Sequence, residues 1–141
     1  MPARAEAAVS AAPPVAGADH PALTGEPLDG PTYENLRLAL GSGFDGAVDI
    51  YLDDARKRVA DIHAAVEAGD TRGLLRAAHT LKSASRYLGV LPLADLCFVL
   101  EHAAESGDIT TAESVAALVH PAFDRAEAAL QAAVDYASPE P

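Results

Sequence analysis

The chain has one cysteine, no tryptophan and only seven tyrosine and phenylalanine residues among 141 positions. A single cysteine, Cys97, excludes an internal disulfide and fits a reducing compartment. The shortage of aromatic and β-branched residues, against abundant alanine, argues against a sheet core and for helices in close contact. Basic residues are scarce: ten, against twenty-one acidic ones, for a formal net charge of -11. A surface this acidic repels nucleic acid and anionic lipid, so neither is expected as a partner. No apolar run is long enough to span a bilayer, and the opening MPARAEAAVSAAPPVAGA lacks the strong apolar centre of a secretory signal. The protein is read as cytoplasmic.

Residues 1–30 are rich in alanine and proline without sustained periodicity and read as a disordered leader; 138–141 read as a disordered tail. Between them, 31–137 carry a helical pattern. Thr32 is placed as the N-cap of a short helix through Leu40, covering one end of the fold. A second helix runs from Phe44 to Ala68 with Val48, Leu52, Ala55, Val59, Ile62 and Val66 on one stripe, and Gly69 ends it. Asp70 caps a third helix to Leu88, stopped by Gly89. Pro92 opens a fourth, which buries Leu93, Leu96, Cys97, Leu100 and Ala104 and ends at Gly107. Thr110 and Glu113 have the spacing of a capping box for the last helix, which Pro121 is expected to bend. Four amphipathic helices with short links predict an all-α, antiparallel up-down-up-down four-helix bundle with a short additional N-terminal helix.

The third helix carries the chemistry. On a helical wheel, Leu74, Leu81 and Leu88 fall roughly 140–180° from His79, so they face the core and the histidine faces solvent. Ala78 and Ser85 complete the inward stripe, with Ser85 expected to bond a carbonyl one turn back. Arg72, Leu75, Arg76, Lys82, Ser83 and Arg86 all lie within about 60° of His79. Four of the chain's ten basic residues thus surround one exposed imidazole, and 71–92 contain no acid. A neutral imidazole nitrogen is a nucleophile toward phosphoryl groups. Neighbouring cations are expected to keep it neutral and to hold phosphoryl oxygens on arrival. Leu75 is expected to be an exposed apolar contact for a partner, and Ser83 is small enough for close approach.

The sequence shows no carboxylates flanking His79 for magnesium and no glycine-rich nucleotide loop. No His-x-x-x-His or Glu-x-x-His pair suggests a metal site. No cofactor is therefore expected on the chain, and any activated donor must come from outside. The bland alternatives stand beside this reading: an exposed histidine on a helix is ordinarily just solvated, and a basic helix face ordinarily serves solubility. Cys97 is read as a small buried hydrophobe, and His20, His63, His102 and His120 as structural or solvated.

The run Ala78-His79-Thr80-Leu81-Lys82-Ser83-Ala84-Ser85 followed by Gly89 resembles the signature of histidine-containing phosphotransfer domains of phosphorelays. Leu93, Leu96, Cys97, Leu100 and Glu101 are similar to that family's downstream Leu-x-x-x-Cys-x-x-Leu-Glu stretch, and Phe44 to Asp70 to its second helix. The resemblance implies that His79 is phosphorylated, that Lys82 steadies the phosphoryl group and that Arg86 lies close to it. Ser83 stands where the family most often has glycine. It further implies a carrier without kinase activity, taking phosphate from one receiver-domain aspartate and giving it to another. Partners would be the receivers of response regulators and hybrid histidine kinases, with magnesium on the receiver, and the carrier a monomer. Arg72, Leu75, Arg76 and Ser83 would meet the partner. A helical module that docks on receivers without carrying phosphate is the alternative. With no kinase or receiver module in view, the chain reads as a stand-alone carrier or an excised domain.

Overall fold

The computed structural model describes residues 19–137. Its elements are α1 (Pro21–Thr24), α2 (Gly30–Leu40), a 3-10 turn (Gly41–Gly43), α3 (Phe44–Ala68), α4 (Thr71–Tyr87), α5 (Leu91–Ser106) and α6 (Ile109–Ala137). No strand occurs among the described residues. Helices α3 to α6 each pack on their chain neighbours, and α6 closes back on α3, which makes the predicted four-helix bundle. No described helix is long and apolar enough to cross a membrane.

The core is the sum of the stripes legible in the sequence. Val48, Leu52, Val59 and Ile62 of α3, Leu74 and Leu81 of α4, and Leu93 and Leu100 of α5 are at most 3% exposed. Val119, Ala126 and Leu130 complete it from α6. Alanine at 55, 78, 94, 112, 116 and 126 fills the remaining interior positions, where a small side chain lets helix backbones approach. Cys97 is among these buried residues. Burial, reinforced by the Glu101 charge, pushes its thiol up to about 12.

Several helix N-termini are capped by side chains, and two of these caps differ from expectation. The cap of α2 is Asp29, three residues before Thr32: its carboxylate accepts from the Thr32 N–H at 3.2 Å and from the Thr32 hydroxyl. The cap of α6 is Asp108, which accepts from the Thr111 N–H at 3.1 Å and the Thr111 hydroxyl at 2.6 Å, so Thr110 is already inside the helix. In both places an aspartate just ahead of the expected threonine offers a charged acceptor to the helix N-terminus, a stronger cap than a hydroxyl. Helix α6 continues through Pro121, whose ring is exposed.

Of the expected leader, 1–18 lie outside the described residues, as does the tail 138–141. The rest of the leader is folded. Helix α1 packs on α5 and α6, Ala22 is buried, and the Arg125 guanidinium donates to the Ala22 carbonyl at 3.2 Å and the Gly25 carbonyl at 2.7 Å. His20, expected to be structural or solvated, caps this turn by accepting from the Ala22 N–H at 3.0 Å. The end of the bundle is closed by α2. The Asp29 N–H donates to the Gly89 carbonyl at 2.7 Å, and Gly89 holds a φ of 81° with Asp29 and Thr32 so close that a Cβ would press on both.

Ser85 faces inward as expected, but its partner is the Tyr51 hydroxyl of α3, at 2.7 Å. Tyr51→Phe is expected to lower stability by about 1 kcal/mol, because Ser85 keeps a fallback acceptor one turn back. In the double variant with Ser85→Ala the loss should be smaller than the sum of the two single losses, as read from urea midpoints. Cys97 should react with a thiol reagent at pH 8 only as fast as the bundle opens, and at once in denaturant.

Candidate functional site

Helix α4 begins on Asp70, whose carboxylate accepts from the Gly73 N–H at 2.9 Å. With Leu74, Ala78, Leu81 and Ser85 buried, the rotation of the helix is fixed and His79 emerges on the outer face with its side chain 64% exposed. Arg72, Arg76, Ser83 and Arg86 are exposed on the same helix, as expected. Arg72, Arg76 and Arg86 meet no carboxylate among the described residues. Arginines elsewhere do: Arg56 pairs with Asp53 and Glu127, and Arg58 with Asp54 and Asp61.

Two expectations about this face are corrected. Leu75 is not an exposed contact; it is half-buried and packs against the core between α4 and its neighbours. Nor is the face free of carboxylates. Glu101, one helix away on α5, reaches His79 with its Oε2 at 2.6 Å from the ring Nδ1, so the nearest charged group to the imidazole is an anion. The Oε1 of the same carboxylate is paired with the Lys82 ammonium. Lys82 is consequently turned toward α5, with a side chain only 14% exposed and its ammonium 5.6 Å from the centre of the Phe98 ring.

Glu101 is itself 11% exposed. Burial would raise its carboxyl pKa, but the hydrogen bonds from Lys82 and His79 and their charges outweigh that, and the group is held below the ordinary carboxylate value. An ionised carboxylate only accepts, so the proton of the bond lies on Nδ1. In the neutral form of the ring the lone pair is then on Nε2, the nitrogen away from Glu101. Among the described residues no group of three or more histidine, cysteine, aspartate or glutamate side chains could hold a metal ion.

The sequence reading missed Glu101 as a site residue, although its position was a signal: it falls on the stripe of Leu93, Cys97 and Leu100, where an acid has to find a partner. It also missed the exposed apolar side chains. Ile50 is 72% exposed and Tyr87 61%, and both line a shallow cleft between α3 and α4 with Ala47, Tyr51, Ala84 and Leu88. Phe98, half exposed, flanks the opposite side of α4 and packs edge-on to His102 at 4.4 Å.

No curated protein matches the sequence. Among solved structures, the chain is similar to histidine-containing phosphotransfer protein B (HptB) of Pseudomonas aeruginosa PAO1, with a TM-score of 0.74 and 24% sequence identity over 78% of this chain and 96% of that one. That likeness concerns the fold. The family model described as "Hpt domain" matches residues 46–136, which contain all four bundle helices but for the first two residues of α3 and the last of α6. The chain therefore belongs to the Hpt domain family, the histidine phosphotransfer carriers of phosphorelays.

Proposed function

We propose that His79 accepts a phosphoryl group from the aspartyl phosphate of one receiver domain and relays it to the aspartate of another. The observation that carries this reading is the bond between Glu101 and Nδ1, which leaves Nε2 as an exposed nucleophile. The Nε2 lone pair forms the new bond to phosphorus. The P–O bond of the donor breaks, and its electron pair returns to the aspartate carboxylate. No proton has to move, because Nδ1 keeps its own toward Glu101. Transfer onward is the same step reversed. Such a step asks mainly for alignment and charge stabilisation. A rigid helix face supplies the first; Arg72, Arg76 and Arg86, which meet no carboxylate among the described residues, draw the anionic donor to that face, and the receiver's magnesium supplies the second. Magnesium belongs to the receiver in this scheme, and the carrier needs no cofactor of its own.

Docking is assigned to the face around His79. Ser83, one turn along, keeps the approach open. Tyr87, about two turns along α4 from the histidine, and Ile50, across the cleft on α3, offer the apolar surface that Leu75 does not. The same arginines favour a partner with an acidic docking edge, and their unpaired charge makes association sensitive to salt.

Three outcomes are expected. Incubated with a phosphorylated receiver domain, the chain should take up acid-labile, base-stable phosphate, and His79→Gln should abolish it with the circular dichroism spectrum unchanged; phosphate retained by the Gln variant rules out the assignment. Binding preserved in that variant with no label on the wild type would instead favour a docking module. Tyr87→Ala should weaken receiver binding by about tenfold, a loss near 1.4 kcal/mol, without changing the fold. On acidification, the Glu101 contact should persist below the ordinary carboxyl value of 4.5. A carboxyl whose folded value is depressed stabilises the protein above its unfolded value, and that contribution is lost as pH falls through the folded one. The Glu101 side-chain carboxyl carbon shift, followed by NMR, should report that loss only at the acid end.

A further inference from the structure

Lys82 faces two possible anions and is committed to one of them. Its ammonium is paired with Glu101 and lies 5.6 Å from the centre of the Phe98 ring, and little of the side chain reaches solvent. Glu101 divides its two oxygens between Lys82 and His79, so the lysine sits one carboxylate away from the reacting ring. A phosphoryl group on Nε2 brings a second, dianionic acceptor beside that pair. The flexible four-carbon stem of lysine can serve either acceptor, and its three donors must be shared between them. The other charges on the face are arginines 72, 76 and 86, which do not compete for Glu101, and the exposed His102–Glu105 pair of α5, 3.8 Å apart.

We propose that Glu101 is a positioning residue that sets the lifetime of the phosphohistidine by competing with the phosphoryl group for Lys82. This rests on the reading of His79 as the phosphorylated residue. In hydrolysis a water oxygen bonds to phosphorus, the P–N bond breaks, and the electron pair returns to Nε2. The loose transition state of phosphoryl transfer resembles metaphosphate, with less charge on the phosphoryl oxygens than the bound dianion carries. An ammonium on those oxygens therefore favours the bound state over the transition state and slows departure. Keeping Lys82 partly on Glu101 weakens that hold. The carrier is thereby tuned to release its group to the next acceptor and not to store it.

The test compares the full chain with Glu101→Gln, Lys82→Ala and the double variant. Each is loaded with phosphoramidate, a small donor that needs no docking, and loss of phosphate from His79 is timed after the donor is removed. Lys82→Ala should shorten the half-life. Glu101→Gln, which keeps the shape and removes the charge, should lengthen it by about three- to tenfold, the scale of one charge-assisted hydrogen bond partly released. In the Lys82→Ala background that lengthening should largely vanish, a coupling that a merely structural role for Glu101 would not produce. An unchanged or shortened half-life in Glu101→Gln overturns the proposal, as does a lengthening of equal size with and without Lys82. Chemical loading of His79 without any labelling by phosphorylated receivers would sink the relay reading while leaving this comparison standing. A wild type that does not load at His79 overturns both.

Discussion

The rotational setting of α4 is the constraint on which everything else depends. Leu74, Ala78, Leu81 and Leu88 are between 0% and 2% exposed, so the helix cannot turn without taking an apolar side chain out of the core. Each residue advances the wheel by about 100°, so a slip of one position would carry His79 from the outer face to the helix–helix seam. The buried pair of Tyr51 and Ser85 adds a directional bond to that apolar grip, since a hydroxyl without its partner in the interior is costly. The exposure of the imidazole is thus a consequence of packing on the far side of its helix. The small side chains at 77 and 78 let the neighbouring helices close in, and that closeness brings an α5 carboxylate within reach of an α4 ring.

Charge is distributed by the same geometry. In a chain of net charge -11, the arginines of α2 and α3 are neutralised by acids on their own helices or across to α6. The arginines of α4 are not paired among the described residues: 71–92 contain no acid, and the one carboxylate that reaches this face, Glu101, is taken by Lys82 and His79. Three outward arginines therefore remain on the face that carries His79 in an otherwise acidic chain, which under the proposed reading draws an incoming anion to that face. The basic residues of α4 divide into two kinds. Arg72, Arg76 and Arg86 project outward, and Lys82 is folded back against α5. A flexible lysine can adopt that folded-back position with its ammonium near an aromatic ring, where the planar fork of arginine would not fit the same single carboxylate oxygen.

Helix existence and the inward stripes were legible because burial writes a period into the sequence; the bounds of α3 and the caps at Asp70 and Gly69 follow from local chemistry alone. What was not legible depends on residues far apart in the chain. Helix α1 is four residues long, too short to show a period, and is held by Arg125 about a hundred positions later. Leu75 sits on the polar side of an ideal wheel, yet the neighbouring helices wrap far enough around α4 to cover part of it. The errors at Asp29 and Asp108 are of another kind, since both acceptors were visible and only the choice between adjacent cap residues was at issue. The histidine itself could be oriented from one helix, but its chemistry could not, because the group that fixes its tautomer comes from twenty-two positions downstream on a different helix.

Glu101 also bears on why the site is built as it is. A carboxylate on the apolar stripe of α5 is a poor choice for packing: in other proteins, replacing buried ion pairs by apolar groups of similar volume is often neutral or stabilising by about 1–4 kcal/mol. Here the charge is tolerated because Lys82 and His79 together lower its pKa despite burial. The two partners are not equivalent. Lys82 is as buried as the acid and could be explained by stability alone, whereas His79 is mostly in solvent and gains little by being held. A bond from a buried acid to one nitrogen of an exposed ring orders a side chain that packing leaves free, at a cost in side-chain entropy that folding does not require. Under the proposed reading, that ordering aims the other nitrogen in the one direction that in-line attack on phosphorus demands.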